Sequence, residues 1–219
     1  MSSLKTRMMW IVVLSLSVAG AGALVAQESP NDEPGTNATL FDRTDSGNVQ
    51  QAAVMAFGAG ERELKRARKL GEKLDSLDAK KRESSEKKLV KAYQNAVGSF
   101  QEAIRNNPKM VQAYIGLGQA LRESGKMVES LQVSAKGLQV APEDDDLFTG
   151  WAESIMELNM LGDAVQAYGT LKENNPARAG LLMGVMKGWV EKRRVDPGAL
   201  SAEDVEKLAG WIAQQEAAG

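Results

Sequence analysis

Three prolines recur at a spacing of 34 residues, at Pro108, Pro142 and Pro176. The residues between them repeat in kind as well as in distance. A fixed period in this range is typical of a solenoid, in which each unit is a helical hairpin that cannot bury its apolar face alone and packs on its neighbours. The spacing therefore predicts an all-α chain, and it favours a surface that holds other proteins over a catalytic centre.

The composition excludes most catalytic chemistries. Among the 219 residues there is no histidine and no cysteine, which excludes Ser-His and Cys-His nucleophiles as well as histidine or thiolate metal sites. The formal net charge of −2 argues against a general nucleic-acid-binding protein. We therefore expect no enzymatic activity, no cofactor, no metal, no small-molecule substrate and no nucleic acid. The absence of cysteine is compatible with an oxidising compartment but does not demonstrate one.

The first 26 residues have the layout of a targeting segment. Lys5 and Arg7 precede an apolar run from Met8 to Val18, and small residues then lead to Ala23 and Ala26. This order is typical of a secretory signal peptide cleaved after one of those two alanines. The 19 uncharged residues that end at Ala26 are also long enough for an uncleaved membrane anchor. We expect an exported protein, periplasmic or extracellular, with a membrane-anchored form as the alternative.

The chain divides into a targeting segment (1–26), a tether (27–48), a basic N-terminal helical region (49–90), the repeats (91–178) and repeat-like and capping helices (179–219). The tether is polar and predicted to be disordered. Residues 61–91 contain 12 Lys and Arg against 7 Asp and Glu, whereas residues 92–219 contain 12 against 17. This asymmetry either steers a partner or belongs to a solvated helix face with i,i+4 pairs such as Glu83–Lys87.

Helical periodicity and chain-breaking residues predict eight helices and negligible strand. Gly125 and Asn159 suit tight turns between helices. Each of the three prolines ends a helix, because the residue before a proline is pushed out of the α region. Ser201 starts the last helix with a pattern like a capping box. The helices are expected near 50–76, 78–105, 110–124, 128–140, 145–159, 162–174, 178–193 and 202–215.

Two consecutive units match position by position. The first contains Tyr114, Leu117, Gly118, Leu121, Gly125, Leu131, Leu138 and Pro142. The second contains Phe148, Trp151, Ala152, Ile155, Asn159, Ala164, Tyr168 and Pro176. This pattern resembles the tetratricopeptide repeat (TPR) family. The resemblance implies a short α-solenoid of antiparallel helix pairs, A and B, with N- and C-terminal capping helices.

Two parts of the chain depart from the family's pattern. Residues 92–108 match helix B of an upstream copy, but residues 77–90 lack the features of its helix A and suggest a long first helix. In the middle repeat, Ser130, Ser134 and Gly137 stand where the family has small, aromatic and small residues. This helix is therefore either locally loose or in contact with something polar.

The resemblance also implies where a ligand binds. TPR proteins hold ligands in a concave groove lined by helix A, and the corresponding residues here are Gln112, Ile115, Gln119, Arg122, Glu123, Asp146, Thr149, Glu153, Met156 and Glu157. Members that bind chaperones grip a C-terminal carboxylate with Lys and Asn, but Ile115 and Gln119 occupy those positions in the first unit. The groove is mixed and rather acidic, which suits a helix or extended peptide with basic and apolar residues.

The sequence thus predicts a non-catalytic, exported protein–protein interaction module that binds a peptide or helix of a protein partner. The alternative is a self-associating scaffold component of a cell-envelope complex, in which the basic first helix meets the acidic repeats of another copy. Trp151, Trp189 and Trp211 are expected to be core or capping residues in either case.

Overall fold

The computed structural model describes residues 40–196, 198 and 201–218, with side chains described from residue 47 onward. The described residues form eight α-helices and a 3-10 turn at Leu74–Ser76, and they contain no strand, which confirms the all-α expectation. The helices are α1 (Leu40–Gly71), α2 (Ala79–Asn106), α3 (Val111–Glu123), α4 (Met127–Val140), α5 (Asp145–Glu157), α6 (Leu161–Asn174), α7 (Pro176–Val195) and α8 (Ala202–Ala217). None of these described helices is long and apolar enough to cross a membrane.

The observed helix boundaries follow the predicted ones except in the N-terminal region. Helix α1 begins at Leu40, so residues 40–48, which the sequence assigned to the tether, are helical. The targeting segment and residues 27–39 lie outside the described residues. Residues 77–90 are not a separate helix A, because residues 79–90 form the first half of α2. Helix α1 takes that place in the fold, since it packs along α2 and also touches α3.

The turns and helix ends have the backbone conformations that their residues require. Gly125 has φ 81° and Asn159 has φ 59°, the left-handed region that glycine and asparagine tolerate best. The residues before the three prolines lie outside the α region, with φ and ψ of −141° and 90° at Asn107, −133° and 81° at Ala141, and −149° and 78° at Asn175. The turns and helix ends that the sequence predicts are therefore confirmed at each of these five positions.

Side-chain caps fix the starts of three of the later helices, and at α7 Asn175 Oδ1 accepts a hydrogen bond from Arg178 N at 3.2 Å. The Asp144 carboxylate accepts a hydrogen bond from Leu147 N at 2.9 Å, and Ser201 Oγ accepts one from Asp204 N at 3.1 Å. Acceptors of this kind satisfy the free N–H groups of a first turn, and a negative charge there is favoured by the helix dipole. Capping thus accounts for the acidic residues that precede α5.

Neighbouring helices run in opposite directions. Ser130 near the start of α4 contacts Ser154 near the end of α5, while a Cβ atom built on Gly137 near the end of α4 would lie 2.6 Å from Leu147 at the start of α5. Helices α3 and α4 are joined by a turn of only three residues, 124–126, so they are antiparallel too. Helices α3 and α5 therefore run side by side in the same direction, and contacts also join α1 to α3 and α5 to α7.

The core has a larger C-terminal part and a smaller N-terminal part. The larger part joins α3 to α8 and includes Trp151 and Trp189, which are 3% and 4% exposed. Trp211 is half-buried and packs against the same cluster. The smaller part is centred on the fully buried ring of Phe100 in α2. The tryptophans are thus core or capping residues, as the sequence predicts.

Candidate partner-binding face

Helices α3 and α5 bring most of the predicted groove residues onto one side of the molecule. Gln112 and Asp146 are exposed, and four other side chains are half-buried. We define the α3–α5 face as Gln112, Ile115, Gln119, Asp146, Thr149 and Glu153. Because α3 and α5 are parallel neighbours, residues one repeat apart such as Gln112 and Asp146 occupy equivalent places along the two helices.

The structure does not place Met156 on the exposed groove surface that the sequence predicts for it. Its side chain is completely buried and belongs to the larger core cluster. Helix α7 packs directly on α5 and contributes Met186 and Trp189 to the same cluster. The repeat pattern places Met156 on the groove side of α5, but α7 covers the residue there.

The remaining charged groove residues are held by ion pairs that link successive parallel helices. Arg68 Nη2 of α1 lies 2.6 Å from Glu123 Oε1 of α3. Arg122 Nη2 of α3 lies 2.9 Å from Glu153 Oε2 of α5. Each pair joins the last turns of one helix to the next, so the charges at this end of the molecule are neutralised within the chain.

Glu157 makes the third of these links, between α5 and α7. Its two carboxylate oxygens accept hydrogen bonds from Lys192 Nζ at 2.6 Å and from Arg193 Nη2 at 2.8 Å. The side chain of Glu157 is only 20% exposed. Two cations therefore share one carboxylate, and the predicted groove residue Glu157 acts as the attachment point of α7.

The link between α1 and α3 is reinforced by a tyrosine. Tyr93 Oη donates a hydrogen bond to Glu123 Oε2 at 3.3 Å. The hydrogen bond with Glu123 raises the pKa of Arg68, and burial, with the negative charge of Glu123, raises the pKa of Tyr93. At neutral pH Arg68 is therefore a cation and Tyr93 a neutral donor, and both hold the Glu123 carboxylate.

Arg122 is a structural residue rather than a free side chain of the predicted groove. Its side chain is 16% exposed. Its Nη1 donates to Gly150 O and to Ser130 Oγ, both at 3.4 Å. Ser130 Oγ donates to Gly118 O at 3.0 Å and Ser154 Oγ donates to Gly150 O at 2.8 Å, and the two hydroxyl oxygens lie 3.0 Å apart. The guanidinium thus ties α3, α4 and α5 together through two buried hydroxyls.

The unusual residues of the middle repeat make room for this polar cluster. Ser130 and Ser134 are 0% and 2% exposed. A Cβ atom at Gly150 would lie 2.9 Å from Arg122 Nη1 and 3.3 Å from Ser134 Oγ, so any larger residue at position 150 would displace the guanidinium. Of the two alternatives that the sequence leaves open for this helix, contact with something polar is the one observed.

Sequence reasoning missed the basic partners of the groove acids, namely Arg68, Lys192 and Arg193. They lie outside the two clear repeats, and Arg68 is 55 residues away from Glu123. The usable signal was the pair of cations in the last turn of α7, where the helix dipole favours positive charge. An acid in the last turn of α5, its parallel neighbour, is the natural partner for them.

A concavity lies on α2. It has a volume of about 370 Å³ and is lined mainly by α2 and by the turn after α3, including Leu89, Val90, Tyr93, Val97 and Lys126. Val90 is 55% exposed. The apolar surface arises because residues 79–92 of α2 extend beyond the point where Tyr93 meets the end of α3.

In the part of the chain that the structure describes, no group of three or more His, Cys, Asp or Glu side chains is placed to hold a metal ion. The acidic run before α5 is used otherwise. Asp144 caps the helix, and Asp145 Oδ1 lies 3.7 Å from Arg178 Nε of α7.

Comparison with known proteins adds no family to these observations. No protein-family model matches the chain, and no curated protein matches it significantly. The TPR interpretation therefore depends on the repeated residues and on the way in which the helices pack.

Proposed function

We propose that this protein is an exported, non-catalytic interaction module of the TPR type, which binds a peptide or helix of a protein partner on the α3–α5 face. The 34-residue period supports the TPR interpretation, as do the left-handed turn residues and the contacts between successive parallel helices. Each of these features belongs to a stack of similar helix pairs.

The observation that carries the proposal is the side-by-side, parallel arrangement of α3 and α5. It presents exposed Gln112 and Asp146 beside half-buried Ile115 and Thr149. Asp146 has no ion-pair partner among the described residues, and Glu153 is 45% exposed although it pairs with Arg122. The face therefore offers acidic groups around a small apolar area, which suits a segment with basic and apolar side chains.

The ion pair at Glu153 does not close this face to a partner. Arg122 is mostly buried, with 16% of its side chain exposed, whereas 45% of the Glu153 side chain is exposed. A basic side chain of a partner can therefore approach the exposed part of the Glu153 carboxylate without displacing Arg122. The apolar contact with Ile115 is then a net gain for the complex.

The test reverses charge on the face without touching Arg122. We expect Asp146→Lys combined with Gln112→Lys to remain folded, with a loss of stability of at most about 1 kcal/mol from the changed charge in the first turn of α5, and to lose the partner in pull-downs from the exported fraction. Glu143→Lys is the matched control, since Glu143 is exposed, lies outside the α3–α5 face and changes the charge in the same direction. If both variants retain the partner, the α3–α5 face is not the binding site.

Export is tested separately. We expect the mature protein to begin after Ala23 or Ala26, and N-terminal sequencing of the secreted or periplasmic protein measures this directly. A chain that keeps Met1 and stays in the cytoplasm would contradict the export proposal. A chain that keeps Met1 and fractionates with membranes would identify the anchored alternative.

The second candidate is a self-associating scaffold, which is favoured by the apolar concavity on α2 and by the basic and acidic halves of the chain. A charge-driven assembly weakens as salt screens the charges, with a Debye length of about 10 Å at 0.1 M. Light scattering at low and high salt, with Val90→Asp as a variant, would show a salt-sensitive oligomer that the variant abolishes. A monomer at all concentrations would exclude this candidate.

A further inference from the structure

The three seams between helix pairs have glycines at equivalent positions. Gly116, Gly150 and Gly184 are 34 residues apart, and each lies 16 residues after a residue of the preceding helix, respectively Phe100, Ser134 and Tyr168. In the first seam, a Cβ atom at Gly116 would lie 2.6 Å from the ring of Phe100. In the second, Ser134 Oγ lies 3.3 Å from the Cβ position of Gly150. In both seams a side chain of the preceding helix therefore occupies the space next to the glycine, and we call this space the seat.

The third seam does not follow this rule. No heavy atom lies within 4 Å of the Cβ position of Gly184. Tyr168 instead packs edge-on against Trp211 of α8, with ring centroids 5.3 Å apart and an interplanar angle of 86°. Helix α7 packs on both α6 and α5, but no side chain of α6 lies next to Gly184.

The C-terminal end of α7 contains buried hydrogen-bond donors that lack acceptors. The Arg193 guanidinium lies 5.5 Å from the centre of the Trp189 ring and pairs with Glu157. Trp189 Nε1 and Arg193 Nε are nevertheless buried, and neither has a hydrogen-bond acceptor in the described structure. Each unsatisfied buried donor is unfavourable, so the closed arrangement gives up part of what the ion pairs contribute.

The N-terminal end of α7 is anchored differently. Arg178 is 4% exposed, lies 4.9 Å from the centre of the Phe148 ring and donates to Asp144 O at 3.5 Å. Only Asn175 separates α6 from α7. Helix α7 is thus fixed to the start of α5 by Arg178 at its N-terminal end, and it is held by the ion pairs with Glu157 at its C-terminal end. We call the Arg178 contact the pivot and the Glu157 ion pairs the latch.

Helices α7 and α8 are joined as one unit. Arg194 Nε lies 2.7 Å from Glu206 Oε1, and Lys187 pairs with Glu216. A rotation about Asn175 that releases Glu157 therefore carries α8 with it and separates Trp211 from Tyr168. The Tyr168 ring is then free to move next to Gly184, into the seat equivalent to the one that the Phe100 ring occupies next to Gly116.

We propose that the α7–α8 pair is a displaceable cover on the last turn of α5, and that in the open arrangement Tyr168 seats on Gly184 while Met156 and Glu157 join the α3–α5 face. This regulation rests on the proposed binding function of that face. A partner that contacts Met156 or Glu157 binds only the open arrangement and shifts the population towards it. The sequence prediction of both residues as groove-lining then describes the open state.

The test uses the absence of cysteine from the chain. Met156→Cys and Ile155→Cys each introduce a single thiol at a side chain that is 0% and 1% exposed, in otherwise full-length mature protein. A thiol-specific reagent labels a buried cysteine only when the structure opens. We expect Met156→Cys to be labelled at least about tenfold faster than Ile155→Cys, because opening of the cover exposes only the first. Equal rates in folded protein would mean global unfolding alone and would overturn the proposal.

Two further variants test the latch and the seat in the Met156→Cys background. Lys192→Ala with Arg193→Ala removes both cations from Glu157 and should raise the labelling rate about tenfold, since the closed arrangement loses its latch. Gly184→Leu fills the seat for Tyr168 and should slow labelling severalfold. Gly180→Leu is its matched control, because Gly180 is also an open position of α7. Identical rates for the two leucine variants would overturn the role of Tyr168.

These measurements need no partner, so they separate the two proposals. A labelling pattern as expected, together with partner binding that survives the Asp146 variant, would retain the cover and reject the α3–α5 face. Circular dichroism of each cysteine variant establishes that it is folded before labelling.

Discussion

Replacing Gly116 by alanine should destabilise the protein, because the new methyl group meets the ring of Phe100. The Cβ atom would lie 2.6 Å from both Cε1 and Cζ of that ring, whereas carbon atoms in contact are normally about 3.5–4.0 Å apart. The ring is 0% exposed, and it also lies against Gly60, whose Cβ position is only 2.7 Å from Cε1. The ring therefore has no space into which it can withdraw.

The magnitude follows from two opposing effects. Overpacking of a well-filled core costs about 1–3 kcal/mol, and alanine is favoured over glycine within a helix by about 1 kcal/mol. Gly169→Ala in α6 is the matched control, because no atom lies within 4 Å of its Cβ position. This variant therefore gains the higher helix propensity of alanine without a clash. The free energy of unfolding of Gly116→Ala should therefore lie about 1–3 kcal/mol below that of the control.

The assay is urea unfolding followed by far-UV circular dichroism, with stability read from the midpoint at unchanged slope. A double-mutant cycle with Phe100→Leu isolates the contact, since alanine at position 116 should cost less when the ring is absent. The reasoning is refuted if Gly116→Ala is as stable as Gly169→Ala.

Three other changes test the buried cluster, the core and one cap. Ser130→Ala and Ser154→Ala should each lower the free energy of unfolding by about 1–2 kcal/mol, and the double variant should lose less than the sum, because the two hydroxyls are in direct contact at 3.0 Å; additive losses would argue against coupling between them. Trp151→Ala should cost about 3–5 kcal/mol in urea unfolding, and a loss below 1 kcal/mol would place that ring outside the core. The backbone hydrogen bond from Lys81 lowers the pKa of Asp78, so its capping contribution is present above the ordinary pKa and is lost as the pH falls through the lower folded value. Amide exchange in the first turn of α2, compared at matched intrinsic rates, should therefore quicken on acidification in the wild type but not in Asp78→Asn, and the same acid response in both would reject the cap.

The sequence predicted those parts of the fold that local chemistry decides. Gly125, Asn159 and the residues before the prolines end helices through their own backbone preferences, so they were predictable without knowledge of any partner helix. The start of α1 was not, because residues 40–48 looked polar and the helix continues beyond the region in which its apolar stripe is clear.

The candidate site was less predictable because long-range packing determines it. Gly184 has the same repeat position as Gly116, but no side chain of α6 lies next to it, and Tyr168 packs against Trp211 of α8. Arg122 looked like a groove residue because its buried acceptors come from two other helices. The period therefore places side chains on a helix face but does not show which neighbouring helix covers that face.

The central claim, that a partner binds the α3–α5 face, is tested most directly by site-specific photo-crosslinking of the protein in its own cells. A photoreactive amino acid would be placed singly at Gln112 or Thr149 on the face, and at exposed Gln139 of α4 as the control. We expect one protein partner to be crosslinked from positions 112 and 149 and not from position 139. Crosslinks from position 139 alone, or no crosslink from either face position, would contradict the account.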